Sequence, residues 1–483
     1  MSLYFEIIEK DIAGRLGKLK VGNKVVRTPA LLPVINPHFP IISPNEMHTM
    51  GIDAIITNAY IFFKSKEFRP PAEEKGLHHL FGFGGVIMTD SGAFQQSVYG
   101  DLEVTNREVV EFQKTIGSDI IVPLDIPTPP NATRERAEQD LLVTMERLRE
   151  ALIILGDCNC AGPVHGGKFL DLRTKAAEEV RDLGFCICPI GGVVPLMEHY
   201  RFRDLVNVVM AAKQGLSPAN AVHLFGAGHP SMFSLAVAMG CDLFDSAAYA
   251  LFAREGRYLT QYGSYMLDDL IEFPCPCRVC REFTPDEVRT SGEAERYLAL
   301  HNLYVTLAEM SRIRQSIQEG TLWEQVDERC RSHPRLFDGY HELLTYAEEL
   351  EKYDRASKKR FFYRGSESRK RTEVVRYHDR LCTILLPREV LISLTGKKLP
   401  EFDTVLYFKP PFGPYPPELA ETFPIGQSEL PEWDAEMVTH GCAAIRKLID
   451  SHPETTFVIL CDEPWFTLVE REFPDIEVER AVR

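Results

Sequence analysis

Eight short apolar segments, each followed by a helix-like stretch, constrain the fold of this chain more than any other sequence feature. Most are apolar throughout rather than alternating, as strands buried on both faces are. Helical patterns such as 106–117 and 134–152 fill the intervals. Eight such units over about 250 residues predict an α/β fold, a (β/α)₈ TIM barrel. A doubly wound open sheet is the alternative, although it seldom reaches eight regular units. The predicted strands are 28–35, 53–60, 85–90, 119–125, 162–167, 185–192, 221–228 and 242–248.

A chain of 483 residues is too long for one compact core, so further domains are expected. Residues 3–28 alternate between apolar and polar and predict a hairpin or small sheet. We expect a catalytic barrel over 1–355, including a metal-binding subdomain at about 270–310. A basic connecting segment (356–380) and one small C-terminal α/β domain or two subdomains (381–483) follow.

The basic segment reverses the sign of the chain, whose net charge is −16. Its cations are interleaved with aromatic residues, a composition suited to RNA phosphate contacts with some stacking. A solvated interdomain linker is the alternative. The cations are Lys358, Lys359, Arg360, Arg364, Arg369, Lys370, Arg371 and Arg376.

Composition places the chain among globular proteins, with 45% apolar and 26% charged residues. No apolar run is long enough to span a membrane, and the N-terminus lacks the pattern of a signal peptide. Twelve cysteines without a secretion signal indicate a cytoplasmic protein whose cysteines bind metal more readily than they pair. The acidic net charge argues against indiscriminate coating of nucleic acid.

Cys275, Cys277, Cys280 and His301 form a C-x-C-x₂-C-x₂₀-H set. Three thiolates and one imidazole at short spacing are typical of a tetrahedral structural zinc site with every position filled. The alternative is a group of core cysteines beside an unrelated histidine. We expect one structural Zn²⁺, which would hold a loop in place and carry out no chemistry itself.

Polar residues follow the predicted strands, at the end where a barrel of this kind carries its active site. Asp90, Asp125 and Asp245 each come directly after an apolar strand. A single strand-end aspartate is often a helix N-cap, but three at one mouth favour a catalytic cluster. His165 also ends a strand, and a structural role for it is equally consistent with its position. The other strand-end residues are Asn58, Tyr60, Ser91, Gly92, Gly166, Gly167, Gly191, Gly192, Gly226 and Gly228.

The motifs limit the chemistry that such a mouth can perform. No GxGxxG or GxxxxGK[ST] element follows a strand, and no GxSxG elbow is present. Carboxylates alone can act as a nucleophile at an anomeric carbon and as a general acid or base. They also suit a guanine-like base, whose N1–H and exocyclic amine need acceptor oxygens.

Five motifs and the zinc spacing resemble the tRNA-guanine transglycosylases, over about residues 5–330 strongly and beyond them less specifically. The resemblance is to the archaeal branch, which inserts 7-cyano-7-deazaguanine at position 15 of the tRNA D-loop on the way to archaeosine. The motifs are MTDSGAFQ (88–95), PLDIPTPP (123–130), PIGGVVPLME (189–198), HLFGAGHP (223–230), DLFDSAAYALFAREGRYLT (242–260) and CPCRVC (275–280) with His301.

The resemblance implies a role for each carboxylate. Asp245 matches the nucleophile that attacks C1′, releases guanine and holds the tRNA covalently. Asp90 matches the residue that binds the base and moves its proton, although some descriptions of the family name it the nucleophile. Asp125 matches the residue that recognises the base. The pocket would be framed by Ser91, Gln95, Gly191 and Gly192.

One departure separates the branches of the family. Bacterial members carry a GGLSVGE-like turn where this chain has Gly191-Gly192-Val193-Val194. An apolar pair without a nearby carboxylate suits a neutral nitrile better than a cationic substituent. Glu198 is expected to face solvent on the next helix, and His165 stands where a glutamine is commoner.

The resemblance also implies the partners: tRNA, guanine, 7-cyano-7-deazaguanine and a second copy in a homodimer. The terminal RNA-binding β-barrel module of many archaeal relatives is expected to be lacking, and a separate RNA-binding subunit would then supply it or the enzyme would work without it.

Two alternatives to this function stay open. One is a relative that exchanges another deazapurine or acts at another tRNA position or on DNA. The other is a non-catalytic tRNA-binding subunit, against which the presence of Asp90 and Asp245 argues.

Overall fold

A computed structural model describes residues 3–93, 104–156 and 159–481. The chain divides into two compact units. The first comprises Met1–Gln318 and Gln325–Glu342, and the second Glu319–Glu324 and Leu343–Arg483. The basic segment 356–380 therefore belongs with the C-terminal part of the chain. The division into a barrel, a connecting segment and a C-terminal domain stays a prediction.

The first unit begins with the predicted small sheet. Three antiparallel strands pair in chain order, β1 (Leu3–Asp11), β2 (Gly14–Val21) and β3 (Lys24–Thr28). Leu19, Val21 and Val26 from this sheet belong to the same buried cluster as barrel residues Ala54 and Leu243. The N-terminal sheet thus packs against the barrel.

Seven assigned strands of the first unit form one parallel sheet, in the order β7-β6-β5-β4-β10-β9-β8. Nearly all of their residues are buried, as their apolar sequences predicted. These strands are β4 (Ala30–Ile35), β5 (Ala54–Asn58), β6 (Val86–Asp90), β7 (Ile120–Ile121), β8 (Ile187–Ile190), β9 (Ala221–Leu224) and β10 (Leu243–Ser246).

Residues 160–164 close the barrel between β7 and β8. Cys160 bridges Ile121 on one side, while Ala161 and Val164 bridge Ile187 and Ile190 on the other, all in the parallel sense. Together with the pairing of β10 and β4, these bridges complete a ring of eight strand positions. The TIM-like α/β fold is thereby confirmed, and the open sheet is excluded because both of its edges are paired.

Helices alternate with the barrel strands and continue beyond them. A short antiparallel hairpin, β11 (Arg257–Leu259) with β12 (Ser264–Met266), follows β10. The helices from the N-terminus to the end of the barrel are Pro44–Thr49, Ala59–Lys64, Arg69–Lys75, Leu77–Phe81, Asn106–Thr115, Arg134–Leu155, Leu170–Asp182, Val194–Glu198, Phe202–Gly215, Pro230–Ala238 and Ala248–Arg254. Those that follow are Arg278–Glu282, Pro285–Thr290, Ala294–Glu319, Leu322–Cys330, Pro334–Leu344 and Ala347–Glu351.

The second unit contains a five-stranded sheet of order β16-β15-β14-β18-β19 and a two-stranded pair, β13 with β17. Its strands are β13 (Phe361–Phe362), β14 (Glu389–Ser393), β15 (Val405–Lys409), β16 (Gly413–Tyr415), β17 (Ser428–Glu429), β18 (Thr456–Cys461) and β19 (Glu477–Arg480). Its helices Thr372–Leu381, Ala435–Ser451 and Phe466–Glu472 supply apolar side chains to the core beside this sheet.

The basic segment is not a wholly solvated linker, because two of its predicted cations, Lys358 and Arg371, are buried in the second unit. Lys359, Arg364 and Lys370 are exposed, and their contact with RNA stays a prediction. Lys358 pairs with Asp354 and Glu373 at 2.9 Å each, and its side chain is 1% exposed. Arg371 pairs with Glu324 and Glu373, also at 2.9 Å. Burial raises the pKa of Glu373, but the charges of Arg371 and Lys358 outweigh it and hold that pKa below its usual range. These two cations are enclosed and paired with buried carboxylates, so they do not face solvent where an RNA phosphate would bind.

In the part of the chain that the structure describes, no helix is both long and apolar enough to cross a membrane.

Candidate active site at the carboxyl ends of the barrel strands

The three predicted aspartates lie at the carboxyl ends of barrel strands. Asp90 ends β6, Asp245 lies in β10 one residue before its end, and Asp125 follows β7 by four residues. Neither Asp125 nor Asp245 caps a helix, since the next helices begin after Thr133 and Ala247. The helix N-cap alternative is therefore wrong for these two residues.

The surroundings of Asp90 favour the protonated form of its carboxyl group. Burial raises its pKa to about 7, with further contributions from the charges of Asp125 and Asp245. The N–H groups of Gly92 and Ser91 lower it by less. The amide of Asn58, its register partner on β5, lies 3.4 Å from Asp90 Oδ2. Burial first, and the two neighbouring carboxylates second, therefore let Asp90 exchange a proton near neutral pH.

Asp125 is bonded to His165, the histidine for which the sequence left a structural role equally open. His165 Nε2 lies 2.6 Å from Asp125 Oδ2, and the two side chains are 0% and 6% exposed. A carboxylate can only accept, so Nε2 donates this bond. Asp125 therefore reaches the mouth with one oxygen already bound to a neighbouring imidazole.

Gly191 and Arg173 hold the backbone beside this pair. A Cβ on Gly191 would lie 2.3 Å from His165 Cε1, so only glycine fits there. The fully buried guanidinium of Arg173 donates to the carbonyls of Val164, Gly167 and Gly191 at 2.8–3.0 Å. Burial lowers the pKa of Arg173 to about 9, well below its usual value. Arg173 thus joins the ends of two neighbouring strand positions behind the pocket.

Asp245 has two donors on the same oxygen. His223 Nε2 lies 2.9 Å from Oδ1, and the Gly226 N–H lies 3.0 Å from it. His223 is completely buried, whereas the Asp245 side chain is 14% exposed. Gly226 has φ +73° and a Cβ there would meet Val194, so the loop requires glycine. The loop after β9 and the strand β9 itself together orient this carboxylate.

The remaining predicted pocket residues differ in their burial and in the contacts that the structure describes for them. Ser91 is completely buried, and its hydroxyl has no hydrogen-bond partner among residues 3–93, 104–156 and 159–481. Gly192 has φ +70° and lies against the carbonyl of Thr128. Gln95 lies outside the described residues. An unsatisfied buried hydroxyl costs about 1–3 kcal/mol, so Ser91 is well placed to bond a ligand at the mouth.

The apolar turn after β8 lies beside the same mouth. Val193 is completely buried, and Val194 begins a short helix that ends at Glu198. Glu198 is exposed, as the sequence predicted. Val194, which is half-buried, therefore places an uncharged side chain beside Gly226, while Val193 is enclosed.

The cysteine–histidine set converges to form a candidate metal centre. One ligand atom from each of Cys275, Cys277, Cys280 and His301 lies within 4.8 Å of all the others. The Cys277 and Cys280 sulfurs are 3.5 Å apart, and His301 Nδ1 lies 3.3 Å from Cys280 Sγ. Tetrahedral Zn–S bonds of about 2.3 Å would place sulfurs roughly 3.8 Å apart, so the spacing fits a tetrahedral metal ion.

Tyr258 and Leu259 on β11 support the metal ligands. His301 Nε2 donates to the Leu259 carbonyl at 2.9 Å, which leaves Nδ1 for a metal. Tyr258 stacks on the His301 ring at 3.6 Å between centroids, and its hydroxyl lies 3.4 Å from Cys280 Sγ. These contacts connect the metal centre to the hairpin that follows β10 and Asp245.

Sequence reasoning missed three residues that the structure brings to these sites: His223, Arg173 and Tyr258. His223 lies inside an apolar strand, three residues before the predicted strand-end residue Gly226. Arg173 lies on the helix Leu170–Asp182 and is completely buried in spite of its charge. A polar residue within an otherwise apolar strand of a barrel was the available signal for His223, because its partner had to come from a neighbouring strand.

Comparison with known proteins places this geometry in context. Residues 11–335 match the family model described as queuine tRNA-ribosyltransferase. A tRNA-guanine(15) transglycosylase of Methanosarcina acetivorans is 50% identical over 482 residues, covering 99% of this chain and 96% of the relative. That of Archaeoglobus fulgidus is 45% identical, with 98% of each chain covered. That of Pyrococcus furiosus is 48% identical over 89% of this chain and 71% of its own length.

Proposed function

The chain belongs to the queuine tRNA-ribosyltransferase family, and on this premise we propose that it exchanges guanine at position 15 of tRNA for 7-cyano-7-deazaguanine, a step in archaeosine formation. Relatives named tRNA-guanine(15) transglycosylase align along nearly its whole length. The observation that carries the proposal is the set of three aspartates at the mouth, one protonated near neutral pH and two bonded to imidazoles.

In the proposed reaction, Asp245 is the nucleophile. Its free carboxylate oxygen attacks C1′ of the target nucleotide, the C1′–N9 bond breaks, and guanine leaves with the bonding electron pair. Asp90 supplies the proton that the departing base takes up. A covalent ester between Asp245 and the ribose then holds the tRNA without any need for ATP, because one N-glycosidic bond is later exchanged for another.

The second half reverses these steps with the incoming base. The N9 atom of 7-cyano-7-deazaguanine attacks C1′, its proton passes to Asp90, and the Asp245 ester bond breaks. A group with a pKa near the working pH suits this two-way proton transfer, and that of Asp90 is about 7. Asp125 is proposed to accept from the N–H groups of the base, and Ser91, Gln95, Gly191 and Gly192 to frame its pocket.

The nitrile substituent is proposed to lie against the apolar turn. Val193 and Val194 offer no charge to a cationic aminomethyl group, and Glu198 is exposed on the following helix. Burying an unpaired cation there would be costly, whereas a neutral nitrile is tolerated. This supports the cyano base as the substrate.

For the metal centre we propose one structural Zn²⁺, held by Cys275, Cys277, Cys280 and His301. With four protein ligands no position remains for water, so the ion would fix the fold of the segment after β10 and take no part in base exchange. The remaining proposals are a barrel domain over 1–355, a connecting segment over 356–380, a C-terminal domain over 381–483, and a homodimer in the cytoplasm. They rest on the resemblance and on sequence composition.

The direct test is base exchange on archaeal tRNA. Labelled guanine should be incorporated into the tRNA and then chased out by 7-cyano-7-deazaguanine. A tRNA with position 15 changed to adenine is the matched control and should take up no label. Absence of label exchange with every tRNA tested would contradict the proposal and favour a non-catalytic tRNA-binding subunit.

A further inference from the structure

His223 gives the proposed nucleophile a defined orientation. It lies on β9 with Pro189 and Leu243 as its register partners on the two adjacent strands. The ring is completely buried and packs edge-on against Phe225 at 4.7 Å between centroids. With its backbone held on both sides and its ring enclosed, His223 has little freedom to follow a moving carboxylate.

Both donors to Asp245 bind the same carboxylate oxygen, Oδ1. His223 Nε2 and the Gly226 N–H lie 2.9 and 3.0 Å from Oδ1. Within the described ranges, Oδ2 receives no hydrogen bond in the structure. Two donors from different directions fix the rotation of the carboxylate, so its two oxygens are not equivalent.

The pairing also defines the form of the imidazole. A carboxylate accepts only, so Nε2 must carry the hydrogen. His223 Nδ1 is buried and has no partner among the residues that the structure describes. A proton on Nδ1 would be a buried donor without an acceptor, so the neutral Nε2–H form fits the site best. A neutral donor orients Asp245 without cancelling the negative charge that a nucleophile needs.

We propose that His223 is a positioning residue for Asp245, binding Oδ1 so that Oδ2 is the oxygen that forms the bond to C1′. This inference rests on the proposed function, since it assigns the reacting atom of the same nucleophile. It predicts that losing the bond slows the formation of the covalent intermediate and leaves tRNA binding nearly unchanged.

Two amide variants separate this role from a purely structural one. In H223Q the side-chain nitrogen can occupy the place of Nε2 and reach Oδ1. In H223N the side-chain nitrogen lies near the place of Nδ1 and cannot reach Oδ1. The single-turnover rate of adduct formation and KM for tRNA are measured for both, using the full-length chain. The matched controls are H79Q and H79N, because His79 is exposed on the helix that leads into the amino end of β6.

H223N should lower the rate of adduct formation by roughly 10²-fold, the usual cost of a misplaced reacting group. H223Q should recover most of this loss, and the His79 variants should match the wild type. Thermal unfolding confirms that each variant is folded. If H223N reacts at the wild-type rate, if H223Q is as slow as H223N, or if only KM changes, the inference is wrong. Failure of the wild type to form any adduct would instead count against the proposed function.

Discussion

At the scale of single residues, the three aspartates differ in what surrounds them more than in where they lie. Asp125 and Asp245 each receive an imidazole donor, at 2.6 and 2.9 Å. The side-chain partner seen for Asp90 is the Asn58 amide, at 3.4 Å. Hydrogen bonds to the charged form favour ionisation. At Asp90, burial together with the charges of Asp125 and Asp245 raises the pKa.

The raised pKa of Asp90 has a measurable effect on stability. Between its unfolded value of 3.8 and its folded value of about 7, the unfolded chain loses this proton while the folded protein keeps it. Stability is thus lost as pH rises through this window. D90N removes the charge and should be more stable than the wild type at pH 8, by up to roughly 4 kcal/mol at about 1.4 kcal/mol per pKa unit.

The stability advantage of D90N should shrink at pH 5, where less of the window has been crossed. Chemical unfolding at the two pH values measures this, and base exchange should be lost in the same variant. S91A, at the neighbouring buried residue, is the control and should show no such dependence on pH. A D90N advantage of equal size at both pH values would show that Asp90 is not protonated in the folded protein.

At the scale of elements, the amino end of the barrel is joined to the N-terminal sheet by a cluster of charges. Asp119, just before β7, bonds Lys24 of β3 at 2.8 Å and His78 at 2.9 Å. The other ring nitrogen of His78 donates to the Phe83 carbonyl at 2.8 Å. His78 Nε2 also lies 2.8 Å from Lys24 Nζ. The pKa of His78 is nevertheless raised, mainly by its bond to Asp119 and against the effects of burial and of the Lys24 charge.

H78Q should therefore lose stability in a pH-dependent way. A raised folded pKa means that the protonated histidine stabilises the protein fully below its unfolded pKa of 6.5. This contribution is lost as pH rises through the higher folded value. The loss of unfolding temperature in H78Q, relative to the wild type, should be largest at pH 6 and smaller at pH 9. H79Q, at an exposed histidine, is the control. A constant deficit would mean that the imidazole is neutral throughout.

The proposed zinc site also belongs to the scale of elements, because its ligands come from the helix Ala294–Glu319 and from the segment after the hairpin. C277A should reduce bound zinc from one equivalent to almost none and lower the unfolding temperature, with tRNA binding lost at the same time. Metal analysis and calorimetry measure both effects. C382A, a half-buried cysteine of the second unit, is the control. If C277A kept full stability and lost only catalysis, the structural role would be wrong.

At the scale of the whole molecule, local sequence patterns predicted the barrel strands and the residues at their ends. Continuous apolar runs marked the barrel strands, and strand ends marked Asp90, Asp125 and Asp245, because the fold itself brings such ends together. Pairings across long sequence separations were not predictable. His165 meets Asp125 from 40 residues away, and Lys358 meets Glu373 inside a core that the sign of its charge did not reveal.

The central claim is that the carboxylate of Asp245 forms the bond to the ribose. Wild-type enzyme and tRNA, mixed without the incoming base and run on a denaturing gel, should give a band of enzyme joined to tRNA. D245N should give no such band while still binding tRNA. D90N should still be able to give the band, because its nucleophile is intact, although proton transfer to the leaving base is impaired. An adduct that persists in D245N and disappears in D90N would contradict the account and move the nucleophile to Asp90.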